Sequence, residues 1–108
     1  MFDDAETDDP DTGWGHVATH DDAPAVIDTL LRLDPADRYT KTELSDEAGV
    51  PLKSLYLDGT LDHLVEMGFL EKHAHEGEEV LFSVDTETAV FEAATAFDAA
   101  IADRLVEE

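Results

Sequence analysis

The stretch Thr40-Lys41-Thr42-Glu43-Leu44-Ser45-Asp46-Glu47-Ala48-Gly49-Val50-Pro51 decides the fold. Thr40 and Glu43 stand three residues apart, the spacing at which a hydroxyl and a carboxylate each satisfy a backbone N–H left orphaned at a helix start. Leu44 and Ala48 then share one face. Gly49 suits the left-handed conformation that ends a helix, Val50 turns inward, and Pro51 is pre-shaped to open another helix. Two short helices joined by a tight turn are the expectation.

Toward the C-terminus the next helical pattern is internally inconsistent. At 100° per residue Leu57, Leu61, Leu64 and Met67 fall on one face, whereas Leu55 points about 180° and Leu52 about 120° from Leu64. One straight helix cannot bury both sets. The pair Asp58-Gly59 lies between them and supplies a cap and a flexible residue, so a break is expected there, with segments over about 52–57 and 60–67. Gly68 ends the second segment. Residues 69–74 read as a strand, His75 to Glu78 as a polar turn, and Val80, Phe82 and Val84 alternate with Leu81, Ser83 and Asp85 in a return strand. Asp85 is the expected cap of a last helix running to about Val106.

Toward the N-terminus, Val26, Ile27, Leu30, Leu31 and Leu33 recur at helical spacing after Asp21, Asp22 and Pro24. This predicts a helix over about 23–33, stopped by Asp34 before Pro35. Tyr39 and Thr40 form a short strand. Residues 1–20 are acidic and turn-rich, with almost no large apolar residue except Phe2, Trp14 and Val17, and most of them are expected to form a mobile tail. Trp14 either docks on its own domain or anchors a partner.

The chain of 108 residues has room for one domain. Its 43% hydrophobic residues suffice for a packed core. Cysteine is absent, which excludes a disulfide framework and a thiolate metal site. With no secretory or membrane-spanning pattern, a soluble, cytoplasmic protein is the expectation. The charge is extreme: 28 acids against six Lys and Arg give −22. The first 22 residues hold eight of those acids and no Lys or Arg, so the folded part is strongly acidic as well. Self-repulsion of this size penalises compaction in dilute buffer, whereas at molar salt the screening length falls to about 3 Å. Such replacement of lysine by acid resembles the composition of proteins from salt-accumulating halophilic archaea; the competing account is an acidic protein that binds basic partners.

The order helix, short strand, helix, helix, hairpin, long helix, with residues 42–51 and the ending Leu61-x-x-Leu64-x-x-Met67-Gly68-Phe69-Leu70, resembles the winged helix-turn-helix over roughly residues 25–85. Across the whole chain it resembles small transcriptional regulators of halophilic archaea, with a dimer architecture like that of PadR-like and MarR-like regulators. The resemblance implies an α+β, mostly helical fold divided into a tail (1–20), a winged helix-turn-helix domain (21–85) and a C-terminal dimerisation helix (86–108). It implies a homodimer that binds double-stranded DNA. The DNA-contacting positions it implies are Lys41 and Thr42 at the start of one helix, Pro51, Lys53, Ser54 and Tyr56 on the reading helix, and Lys72, His73 and His75 on the wing. Family members usually have about two fewer residues between the turn valine and the last leucines, and the surplus here lies around Leu57, Asp58 and Gly59. Low basicity keeps a second reading open, in which the fold docks another protein.

The last helix carries a stripe of Val90, Ala94, Phe97, Ile101 and Leu105, flanked by Phe91 and several alanines. It is long enough to overhang the core. Val90, Phe91, Ala94, Phe97, Ile101 and Leu105 are therefore the candidate dimer contacts, the alternative being a helix that lies wholly on its own domain. His16 with His20, and His73 with His75, have spacings that suit zinc or nickel, but solvated histidines explain them as well, and no metal or cofactor is expected. His63 reads as a packed or surface residue. There is no Gly-rich phosphate loop, and no nucleophile stands at motif spacing from a base, so no enzyme activity is expected.

Overall fold

The computed structural model describes residues 12–106 and has an α+β architecture, mostly helical. Its elements are α1 (Gly13–Ala18), α2 (Ala23–Leu30), α3 (Lys41–Ala48), α4 (Leu52–Asp58), α5 (Thr60–Met67), β1 (Leu70–His73), β2 (Leu81–Val84) and α6 (Ala89–Leu105). The expected tail divides: residues 1–11 lie outside the described residues, and residues 13–18 are helical rather than tail. Thr12 caps α1 by accepting from Gly15 N–H at 2.9 Å.

The start of α3 has the anticipated reciprocal cap. Glu43 N–H donates to Thr40 Oγ1 at 3.0 Å, and Thr40 N–H donates to Glu43 Oε1 at 2.9 Å. Gly49 closes the helix at φ 68°. Just beyond it the buried Ser45 hydroxyl donates to the Val50 carbonyl, which fixes the turn into α4.

The break between the two leucine sets falls at Gly59, also at φ 68°. It re-aims the chain so that Leu55 from α4 and Leu61 and Leu64 from α5 enter one core. Leu57 does not join them; it is 65% exposed. The N-cap of α5 is Gly59 itself in the left-handed conformation; the Asp58 side chain, the expected cap, lies outside what the structure describes.

α2 ends at Leu30, a turn earlier than the spacing of Leu31 and Leu33 suggests. Arg32 N–H reaches the Thr29 carbonyl at 2.9 Å, an i to i−3 bond that tightens the chain out of the α-helix. Asp34 then accepts from Ala36 N–H at 2.9 Å and directs the chain to Tyr39. Tyr39 exchanges both backbone hydrogen bonds with Phe82, at 2.7 and 2.8 Å, so the expected short strand is a single bridge on the hairpin's flank. The hairpin pairs Leu70 with Val84 and His73 with Leu81 in antiparallel register.

Val26, Leu30, Leu44, Leu55, Leu64, Leu70 and Phe82 are the centre of the core. Each such side chain, fully removed from water, contributes about 1.5–3 kcal/mol before entropy is counted. The cap of α6 is Thr88 rather than Asp85. The Thr88 hydroxyl donates to the Gly68 carbonyl at 2.7 Å and accepts from Phe91 N–H at 3.1 Å, tying the root of α6 to the end of α5. Asp85 instead donates its N–H to the Phe69 carbonyl at 2.9 Å. Beyond that root α6 has no buried residue. No helix among the described residues is long and apolar enough to cross a membrane.

Candidate nucleic-acid interface and an apolar groove

The turn at Gly49 to Pro51 sets α4 beside α3 and leaves its outer face uncovered. Thr42, Pro51, Lys53 and Tyr56 are exposed there, while Ser54 and Lys41 are half-buried. Lys41 Nζ lies 5.1 Å from the centre of the Tyr56 ring. This cation–π contact links α3 to α4 and holds one positive charge at the centre of the surface. Two exposed leucines of α4 adjoin these groups, Leu52 at 39% and Leu57 at 65% exposure. Sequence periodicity assigned both to buried faces; the break at Gly59 takes Leu57 off the face shared by Leu61 and Leu64.

The three hairpin positions do not form one stripe. Successive strand residues point to opposite faces, so Lys72 and His73 diverge. Lys72 pairs with Asp62 of α5 at 3.1 Å. Both partners are substantially exposed, so the pair is weak and exchangeable. His73 Nε2 lies 2.8 Å from Ser83 Oγ across the hairpin, leaving His75 as the solvent-facing member at the turn. Lys41, Lys53 and Tyr56 are thus brought together, Lys72 is held by an acid, and His73 is engaged within the sheet.

Tyr39, whose backbone bridges to the hairpin, has its hydroxyl donating to the Asp34 carbonyl at 3.1 Å. Its pKa is raised, chiefly because burial disfavours the phenolate. The bond to Asp34 opposes that effect, and the charges of Asp37, Asp34 and Glu47 reinforce it.

A second feature shares none of these residues. α1, α2 and α6 enclose an open apolar groove of about 790 Å³, with Trp14 and Val17, Ile27 and Leu31, and Phe97 and Ile101 among its walls. The Trp14 and Phe97 rings are 5.3 Å apart at 56°, so the indole does meet its own chain while remaining 65% exposed. Of the six candidate dimer contacts, Phe91 and Ala94 pack on the core, whereas Val90, Phe97, Ile101 and Leu105 stand 41–69% exposed. Sequence reasoning missed the contribution of Val17 to this surface, because residues 1–20 read as tail.

The histidine pairs fare differently from their spacing. His16 lies on α1 and His20 in the turn after it, and both meet His63. Among the described residues no three His, Asp or Glu side chains gather in an arrangement that holds a metal ion. In comparison with known proteins, the sequence matches no family model and no curated protein.

Proposed function

We propose that the chain is a sequence-specific DNA-binding transcription regulator of the winged helix-turn-helix class, adapted to high salt, acting in the cytoplasm as a homodimer joined along α6. The observation that carries this reading is the uncovered face of α4, held beside the capped start of α3 by the Lys41–Tyr56 contact. A short helix braced this way and flanked by a hairpin has the dimensions of an element that enters a major groove. Thr42, Lys53, Ser54 and Tyr56 supply its donors. His75 and a Lys72 released from Asp62 supply contacts from the hairpin.

The electrostatics require an unusual balance. DNA affinity ordinarily comes in large part from cations that displace counterions from the duplex, and this chain has only six Lys and Arg in total. At molar salt that drive is weak for any protein, so hydrogen bonding and shape carry more of the recognition, with potassium ions bridging carboxylate to phosphate. Homodimer formation is supported by the four exposed apolar side chains of α6 and by its lack of any buried residue. The test is a mobility-shift selection from random duplexes in molar KCl. Recovery of a preferred sequence supports the reading, and indiscriminate or absent retention counts against it.

A second reading is favoured by one observation: Leu52, Tyr56 and Leu57 expose apolar surface on α4. On that reading α4 docks a protein. Substituting Leu52 and Leu57 by serine separates the two, since DNA retention then survives and protein docking is lost.

A further inference from the structure

Three of the five histidines meet where α1 and the turn after it fold onto α5. His16 Nδ1 lies 3.2 Å from His63 Nε2, and the two rings cross edge to face with centroids 5.3 Å apart. The His20 ring packs on His63 in the same manner at 4.9 Å. The other nitrogen of His63, Nδ1, is buried and has no hydrogen-bond partner.

That orphaned nitrogen determines where the protons sit. A neutral imidazole carries one donor and one acceptor, and a buried N–H without an acceptor bears its full desolvation penalty. His63 therefore keeps its proton on Nε2 and donates it to Nδ1 of His16. Neither ring then has a place for another proton. On His63 it would fall on the buried Nδ1; on His16 it would set two donors against each other. Reversing the bond, so that His16 donates, moves the His63 proton onto the same buried Nδ1. A charge on His20, packed against His63, adds like-charge repulsion.

We infer that this histidine contact is an acid-released clasp, which holds α1 as one wall of the apolar groove and lets it go when the imidazoles are protonated. The consequence follows from the walls of that groove: α1 contributes Trp14 and Val17 to it, so release changes what the face can bind. The inference does not depend on whether α4 meets DNA.

The charged groups on the surrounding elements are acids, which favour imidazolium and so oppose this exclusion. Asp22, two residues beyond His20, has a buried Oδ2 without a partner. Asp98 of α6 shares the groove wall with His16. Asp28 of α2 is bonded to Arg32 and Asp62 of α5 to Lys72, while Glu66 of α5 is exposed. Asp28 and Asp62 are engaged by cations, and among the described residues no carboxylate lies within 4.0 Å of a ring nitrogen of the cluster, so the contact between the rings themselves decides the outcome. The sign follows from the geometry of the pair: the closed contact needs neutral imidazoles and is lost when they are protonated. A proton rather than a metal is the effector, because the rings meet edge to face and do not converge three nitrogens on one point.

The chain has a single tryptophan, so a nitrogen-edited NMR spectrum contains one indole N–H peak, displaced by the ring of Phe97. The full chain is titrated in molar KCl from about pH 8 to about pH 5.5, a range that brackets ordinary imidazole protonation. The variant Phe97→Ala marks the unstacked position. In the wild type the peak is expected to move toward that position as pH falls. In His63→Phe, which keeps a ring but takes no proton, it is expected to stay. His16→Gln, whose amide oxygen accepts from His63 Nε2 in either state, removes one of the two protonation sites and is expected to reduce the response without abolishing it, since the buried Nδ1 of His63 remains. A wild-type peak that does not move, or variants that titrate as the wild type does, overturns the inference.

Discussion

Thr40 satisfies one of the backbone N–H groups that the first turn of α3 leaves without partners, and Glu43 returns the favour to the backbone of Thr40 itself. Replacing Thr40 by alanine removes the hydroxyl and is expected to lower stability by about 1 kcal/mol, measured by thermal unfolding in molar KCl; no change would mean that the turn is held by Ser45 and Val50 alone. Tyr39 is a second residue with a defined consequence. Burial holds its phenol above the ordinary value, so the neutral form is favoured by folding. Its contribution is present below the unfolded value of about 10 and is lost as pH rises through the raised value. In Tyr56→Phe it is the one remaining tyrosine, and an absorbance titration of that variant is expected to give a midpoint above about 10. The cap at Thr40 was legible in the sequence because both its partners lie within four residues. The burial of Tyr39 was not, since it arises from a bridge to Phe82, 43 positions away.

Among the elements, the pair α4 and α5 depends most on one backbone angle. Gly59 adopts φ 68°, and a Cβ built there meets nothing within 4 Å. The cost of Gly59→Ala is therefore conformational, about 1–2 kcal/mol, and Gly59→Asn is expected to cost less because asparagine enters the left-handed region more readily; equal stability of all three proteins, judged by thermal unfolding, would contradict this. The break itself was legible, because two leucine sets about 180° apart cannot share one helix face. Which leucines it frees was not, for Leu57 sits on the stripe of Leu61 and Leu64 in a straight projection and leaves it once the chain turns. α6 presents the complementary case. Its apolar stripe was legible, but its cap shifted from Asp85 to Thr88, because the Thr88 hydroxyl can bond both Gly68 and Phe91. If α6 joins two copies, Phe97→Asp together with Ile101→Asp is expected to convert a dimer to a monomer in sedimentation equilibrium. A dimer that survives both changes would require a different surface.

At the scale of the whole molecule, charge and shape pull in different directions. A net −22 opposes both compaction and approach to DNA in dilute buffer, yet the face formed by α3 and α4 gathers Lys41, Lys53 and Tyr56 on a braced element. Molar salt reconciles the two by screening the repulsion within about 3 Å, which is why the medium belongs in the functional argument. The order of helices and hairpin was legible from local signals, each contained in a dozen residues or so. The groove was not. It requires α1, which reads as tail until His16, His20 and Trp14 find partners 43 or more positions distant in His63 and Phe97. The most direct test of the central claim is the affinity for a selected duplex, measured by fluorescence anisotropy as KCl is raised from dilute buffer to molar concentration. Binding that persists or strengthens, and that is abolished by Lys53→Glu with Tyr56→Ala while the thermal unfolding midpoint is kept, is the result expected. Steep loss of binding as KCl rises, or retention by the double variant, would contradict the account.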